Sequence, residues 1–190
     1  MREVTYYVAT SLDGFIAAPD GDWLDAFPPE GDHMHAVLHD YTDALPGHIL
    51  RALGLTADLA LFDTVLMGWN TYAPALAEGI RSPYPHLTQV VATRQTREVP
   101  DEITTTDDPV ATLRALRERP GSGIWLAGGG ELAGAVVDEI DRLVLKINPV
   151  VAGEGVPLFA GAAYAARRFE RMGLRTFDSG VMIAEFARRR

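Results

Sequence analysis

The sequence predicts an alternating α/β protein with a mixed sheet. Three observations carry that expectation. Short β-branched and aromatic runs alternate with helix-forming segments along the chain. The last two apolar runs, Phe169–Phe177 and Val181–Ala187, flank Asp178-Ser179-Gly180, a hairpin signal, so the chain should finish in antiparallel strands. Finally, Ile124–Leu132, IWLAGGGEL, reads as a buried strand running through three glycines into a helix.

The elements follow in order. Val4–Ala9 is a β-branched and aromatic run suited to a central strand. Ser11-Leu12-Asp13-Gly14 breaks it, Phe15–Ala18 resumes it briefly, and Pro19-Asp20-Gly21-Asp22 is a turn. Residues 32–59 read as helix in two pieces, interrupted at Pro46-Gly47. Thr64–Met67 is a short strand closed by Gly68, Asn70–Ala77 a short helix, and Leu87–Ala92 another strand. Asp107 or Asp108 can cap a helix that has Pro109 in its first turn. In that helix Val110, Leu113 and Leu116 form the buried face, and Arg114, Arg117 and Arg119 are expected in solvent. Ile124–Ala127 is a strand, Glu131–Ile140 a helix, and Arg142–Val151 a strand with Leu143, Leu145 and Ile147 on one face. No repeat, low-complexity tract or linker divides the chain, so one domain over residues 1–190 is expected.

Composition narrows the function. The 190 residues are enough for a sizeable core. Acidic residues outnumber basic ones by 26 to 17, a formal charge of −9, which argues against non-specific binding to nucleic acid or to an anionic membrane. Arg188-Arg189-Arg190 is a short charged tail, not a nucleic-acid element. The absence of cysteine excludes disulfides, thiolate catalysis and cysteine–metal sites. No apolar run approaches a membrane span, and the first residues enter a strand pattern without a signal-peptide core, so a cytoplasmic location is expected.

The glycine junction is the strongest local pointer to a ligand. Gly128, Gly129 and Gly130 lack a Cβ, so a bulky ligand can lie against the main chain. The N–H groups that open the following helix have no partners within it, which makes an anion site and most often a phosphate site. The alternative is a turn that only packs a helix on the sheet. The spacing of these glycines and Gly134 does not fit the G-x-G-x-x-G fingerprint. His35 and His39 stand four apart near His33, but Ala36 occupies the position where a metalloprotease helix needs Glu. They are read as solvated or partly buried helix histidines, with no metal.

Five stretches point to one family: SLDGFIA at Ser11–Ala17, LMGWNTY at Leu66–Tyr72, VVATR at Val90–Arg94, LAGGGEL at Leu126–Leu132, and DEIDRLVLKINPVVAGEGVPLF at Asp138–Phe159. In this order they resemble the dihydrofolate reductase-like superfamily. The nearer branch holds the reductase domain of the bifunctional riboflavin-biosynthesis deaminase-reductase. The deaminase half is not represented. The resemblance implies a three-layer α/β/α fold with a mixed, mostly parallel central sheet and an antiparallel C-terminal hairpin. It also implies NADPH bound across the carboxyl ends of the strands.

By the same resemblance, Ala9 and Thr10 border the nicotinamide, and Ile16 presses on the ring or simply fills core. Gly68, Trp69, Asn70 and Thr71 open a helix suited to the pyrophosphate or adenosine side. Related reductases often carry a basic residue in this motif; here Trp69 either stacks on adenine or covers the surface. Thr93 and Arg94 suit a ribose 2′-phosphate, or Arg94 is a solvent-exposed loop residue. Gly128, Gly129, Gly130, Glu131 and Leu132 would take the pyrophosphate and the nicotinamide-side ribose, with the Glu131 side chain turned away. Trp23 and Phe27 fall in the loop expected to cover the substrate, as stacking partners for a flat heterocycle.

Hydride transfer to a C=N or C=O bond also needs a proton donor. Asp25, Glu30 and Asp32 lie near the helix where folate-reducing enzymes carry their carboxylate, and the sequence singles out none of them. Asp13 is the acid best matched to a motif, and an Asx-type turn cap is its other role. The expected function is NADPH-dependent reduction of a small planar heterocycle: a pterin, a pyrimidine or a sugar-phosphate-bearing precursor of riboflavin. The alternative is a non-catalytic nucleotide- or flavin-binding protein that keeps the fold. A homodimer is expected from the branch resembled.

Overall fold

The computed structural model describes residues 1–189. The chain forms β1 (Val4–Thr10), β2 (Phe15–Ala17), α1 (His33–Asp40), α2 (Gly47–Leu53), β3 (Phe62–Gly68), α3 (Trp69–Ala77), β4 (Thr88–Ala92), β5 (Ile103–Thr106), α4 (Pro109–Arg117), β6 (Gly123–Gly128), α5 (Gly130–Ala135), β7 (Arg142–Ile147), β8 (Val156–Pro157), β9 (Phe169–Thr176) and β10 (Met182–Arg188). Eight strands make one sheet in the order β5-β4-β3-β6-β1-β7-β10-β9, and β2 pairs with β8 in a small second sheet. From β5 to β7 every pairing is parallel; β10 is antiparallel to both β7 and β9. The mixed, mostly parallel sheet and its antiparallel C-terminal pair are as expected.

Parallel strands need crossovers, and crossovers cover both faces of the sheet. Successive residues of β1 therefore serve two cores. Tyr7 packs with Val65, Met67, Val91 and Trp125 beneath α1, α2 and α3. Tyr6 packs on the other face with Leu66, Val90, Ile124 and Leu126 beneath α4 and α5. In α4, Leu113 and Leu116 are buried and Val110 is half-buried, as its spacing predicts. Each fully buried leucine contributes about 2 kcal/mol. The Asp108 carboxylate accepts from the Ala111 N–H at 2.9 Å, so Asp108 is the cap, with Pro109 opening the helix.

Five expectations need correction. The second helical piece does not reach residue 59: α2 stops at Leu53, where Gly54 takes φ 65°. Residues 59–62 are held instead by the buried Asp43 carboxylate, which accepts from the N–H groups of Leu59, Leu61 and Phe62. The helix expected over Glu131–Ile140 is six residues long, followed by a 3-10 turn at Val137–Glu139. The strand expected to reach Val151 ends at Ile147, because the chain turns at Asn148 and Pro149 has no N–H for the ladder. Strand β5 escaped notice because only Ile103 among its residues is buried, which leaves no apolar alternation.

The fifth correction concerns Arg117, which was expected in solvent. It is buried and ion-paired with Asp141 at 2.6 Å, and it also donates to the Glu139 carbonyl. The α4 C-terminus abuts the 137–139 turn, and that turn closes over the guanidinium. Arg114, by contrast, is exposed and reaches Glu139 from the solvent side. None of the described helices is long and apolar enough to cross a membrane.

Arg117→Ala removes the ion-pair partner of the buried Asp141 carboxylate, which still accepts from the Val4 N–H at 2.9 Å, and should lower unfolding stability by about 2 kcal/mol. Arg114→Ala should cost less than about 1 kcal/mol. Urea denaturation of the two variants beside the parent protein checks the contrast.

Candidate active site at the carboxyl ends of the parallel strands

All five motifs meet at one edge of the sheet. The parallel strands β1, β3, β4 and β6 end at Thr10, Gly68, Ala92 and Gly128, and a motif loop follows each. The chain leaves β1 toward α1 on one face, and leaves β6 toward α5 on the other. A crevice opens where neighbouring strands send their connections to opposite faces. β6 lies beside β1, so Thr10 and Gly128 stand at the strand ends where that rule places a ligand crevice.

The junctions after β3 and β6 adjoin. Gly68 and Gly129 are the N-caps of α3 and α5, and neither helix has a side-chain cap, so their first N–H groups remain free of side-chain acceptors. A Cβ on Gly129 would stand 3.7 Å from the Thr71 hydroxyl, which places the two helix entrances side by side. Gly128 and Gly129 adopt φ 116° and 50°, conformations that glycine tolerates best. Nothing lies within 4 Å of where a Gly128 Cβ would be.

Gly130 has a different role. Its Cβ would stand 2.0 Å from the Pro157 carbonyl, and one on Gly134 would stand 1.9 Å from the Ala160 carbonyl. The Ala160 N–H also donates to the Gly130 carbonyl at 3.0 Å. Of the three glycines, Gly128, itself buried, and Gly129 have room where a side chain would project, and the third packs a helix on the backbone of the 156–160 segment. The packing reading of the glycine run holds for Gly130. Leu132 is buried in the core below.

At the adjacent end of β4, Thr93 closes a turn, accepting from the Gln95 N–H at 3.2 Å. Arg94 and Glu131 are both well exposed and lie 3.6 Å apart. Arg94 reaches across the crevice edge, and Glu131 points to it, not into the glycine junction. Trp69 packs edge-to-face on Tyr72, and the Arg97 guanidinium stacks over its indole at 4.5 Å. Sequence reasoning missed Arg97; the signal was a second basic residue three positions after Arg94. Asn70 is exposed beside Trp69 at the start of α3.

The first motif loop is tied to the last. The Leu12 N–H donates to the Val150 carbonyl at 2.8 Å, and the Asn148 N–H to the Thr10 carbonyl at 2.8 Å. Asp13 accepts from the Ser11 hydroxyl at 2.6 Å and from the N–H groups of Ala152 and Gly153 at 3.0 and 2.8 Å. The Ser11 hydroxyl and these two N–H groups pull the Asp13 carboxyl down to about 2. Asp13 thus fastens the first motif loop to the last, the turn-capping role the sequence also allowed it. Ile16 in β2 is half-buried.

In the loop between β2 and α1, Phe27 is buried, whereas Trp23 is 50% exposed. Only Trp23 offers an open ring there. Asp32 is also committed, accepting from the N–H groups of Asp178 and Ser179. His33 is buried, bonded to the Ser179 hydroxyl at 3.2 Å, while His35 and His39 stack on each other along the outer face of α1. Among the described residues no group of three or more candidate ligands converges on a metal position.

A hollow of about 610 Å³ lies at the opposite, amino end of the strands, beside Glu3, Tyr41, Gly123, Arg142 and Arg175. Arg142 is paired with Glu3 and Arg175 with Asp40, so it offers an anion less than the glycine edge does.

A crevice at the carboxyl edge of a parallel sheet, lined by uncapped helix entrances and closed by a C-terminal antiparallel pair, defines a dihydrofolate reductase-like protein. The chain belongs to the RibD C-terminal domain family, which matches residues 2–183. It is 34% identical to the uncharacterized protein YwjB of Bacillus subtilis, over 83% of each chain. It is 32% identical to the riboflavin biosynthesis protein RibD of Mycobacterium tuberculosis, over 80% of this chain and 44% of that protein. Its fold matches a diaminohydroxyphosphoribosylaminopyrimidine deaminase/5-amino-6-(5-phosphoribosylamino)uracil reductase from Thermotoga maritima, with TM-score 0.68 and 16% identity, over 99% of this chain and 57% of that one.

The Asp13 clamp gives a pH test. Its folded-state value lies below the roughly 3.9 of an unfolded aspartate, so its contribution is present above pH 4 and is lost as pH falls through about 2. Asp13→Asn should therefore be less stable than the parent at pH 6, with the gap closing toward pH 2. Denaturant midpoints across that range measure it.

Proposed function

We propose that the protein is a reductase that uses NADPH to reduce a small planar heterocycle of the pyrimidine, pterin or riboflavin-precursor kind. One observation carries the reading: the entrances of α3 and α5 lie side by side, free of side-chain caps, next to Gly128 and Gly129, which have room where a side chain would project. Backbone donors without competing side chains fit a pyrophosphate. Membership of the RibD C-terminal domain family supports the reductase class, and the Thermotoga relative's name supports a pyrimidine-like substrate.

The roles follow from position. Gly68, Asn70, Thr71, Gly129 and Gly130 present main-chain N–H groups to the pyrophosphate, and Ala9 and Thr10 present a strand end to the nicotinamide amide. Trp69, stiffened by Arg97, offers a flat face to the adenine. Thr93 and Arg94 would grip a 2′-phosphate; Arg94 would then exchange Glu131 for the phosphate, a stronger and bidentate partner. When bound, NADPH supplies the hydride, and the chain supplies orientation and a dry ring pocket. Trp23 is the aromatic ring free to cover a flat substrate.

A second reading, nucleotide binding without turnover, draws on the commitment of Asp13 and Asp32 to backbone N–H groups. It predicts NADPH binding with no oxidation by any pterin or pyrimidine. A second copy of the chain is the proposed partner. Strand β9 is a sheet edge with Met172 and Leu174 exposed, and such edges pair readily. Light scattering gives the mass that decides it.

Titration with NADPH and NADH in parallel, read by tryptophan fluorescence, tests the cofactor site. NADPH should bind more tightly. Arg94→Ala should weaken NADPH about tenfold or more and leave NADH nearly unchanged. Glu131→Gln, which frees Arg94, should tighten NADPH modestly. Failure of both nucleotides to bind overturns the reading.

A further inference from the structure

The chain's 17 basic residues are 16 arginines and a single lysine, Lys146. Arginine stays charged at any physiological pH, whereas a lysine can give up its proton when its surroundings disfavour charge. Two of the arginines, Arg2 and Arg117, are buried against acidic partners, Asp63 and Asp141, whereas the one lysine has no such pair among the described residues. It lies in β7, paired laterally with Ala9 of β1 and with Ile183 of β10. Alternation turns it away from Leu143 and Leu145 and onto the α1 face of the sheet.

Its surroundings are specific. Nζ stands 4.6 Å from the centre of the Tyr7 ring. The Tyr7 hydroxyl is itself buried and has no hydrogen-bond partner. No carboxylate reaches Nζ among the described residues. The charged and titratable groups around it are spoken for. From α1 and its entrance come His33, bonded to Ser179, and Asp32, bonded to the 178–179 backbone. From β10 comes Glu185, which accepts from Tyr41. From β9 comes Arg175, level with Ile183 and paired with Asp40. Loss of water around Nζ pulls its value down to about 8, and the nearby ammonium and burial together pull His33 below its ordinary value. The lysine thus gives up its proton more readily than a surface lysine, and His33 is harder to protonate than a surface histidine.

We propose that Lys146 is the proton donor of the site, its ammonium held between the end of β1 and the start of α1, facing the heteroatom next to the carbon that is reduced. The proposal rests on the NADPH-reductase reading. A bound reduced nicotinamide would supply the hydride to the carbon of a C=O or C=N bond. The π pair of that bond moves to the heteroatom, which takes a proton from Nζ. The neutral amine then recovers a proton from water. Asp13 and Asp32, by contrast, have their carboxylates committed to loop backbone.

A single lysine makes the test direct. Protein labelled with [ε-13C]lysine gives one lysine Cε resonance, followed against pH alone, with saturating NADP+ and with saturating NADPH. The oxidised nicotinamide ring is cationic and the reduced ring is neutral. If Nζ faces the ring site, the midpoint should be lower by about half a pH unit or more with NADP+ than with NADPH. Tryptophan fluorescence on the same samples reports binding. Binding of both nucleotides with identical Lys146 midpoints overturns the proposal and leaves the reductase reading standing. No binding of either overturns that reading, and the proposal with it. Lys146→Arg, which keeps the charge but cannot release the proton, should bind NADPH as the parent does. A Lys146→Arg protein that reduces 5-amino-6-(5-phosphoribosylamino)uracil, or any other acceptor, at the parent rate also overturns the proposal.

Discussion

Parallel pairing of β1 with β6 on one side and β7 on the other is the constraint on which the rest of the structure depends. A parallel pair cannot be closed by a tight turn, so each strand must hand the chain to a crossover that returns over a face. Tyr6 and Tyr7 are both buried, on opposite faces, because crossovers cover both. The same geometry brings the carboxyl ends of β1, β3, β4, β6 and β7 to one edge, so residues as distant as Thr10, Gly68 and Gly128 become neighbours.

That edge is then held by backbone contact more than by side-chain packing. Gly130 and Gly134 let α5 rest on the carbonyls of Pro157 and Ala160. Asp13 fastens the loop after β1 to the loop after β7, and β2 pairs with β8 beside it. Three sequence motifs, at 11–17, 126–132 and 138–159, are thus one mechanical unit. A charged side chain at its centre serves geometry before chemistry. This is why the most motif-like acid in the chain is committed to loop backbone, while the helix entrances beside it carry no side-chain caps.

Much of this was legible in the residues. Val4–Ala9, Leu87–Ala92 and Ile124–Ala127 read as strands because their apolar, β-branched runs are what burial on two faces requires. Asp108 and Pro109 marked the start of α4 because capping is local chemistry. Strand β5 was silent because an edge strand with one buried residue has no pattern to read. Arg117 was misjudged because helix spacing tells which face is apolar, not which neighbouring turn closes over a long side chain.

The sequence by itself determined the alternation of strand and helix, the hairpin at the end and the glycine junction, since propensity, periodicity and turn chemistry act over a few residues. Only the tertiary structure decided which glycine has room beside it and which packs, that Asp13 is a clamp, that Phe27 is buried while Trp23 is free, and that the one lysine lies between β1 and α1. Each of these is set by an atom more than twenty residues away along the chain or by the solvent that such atoms exclude. No window of sequence contains that information.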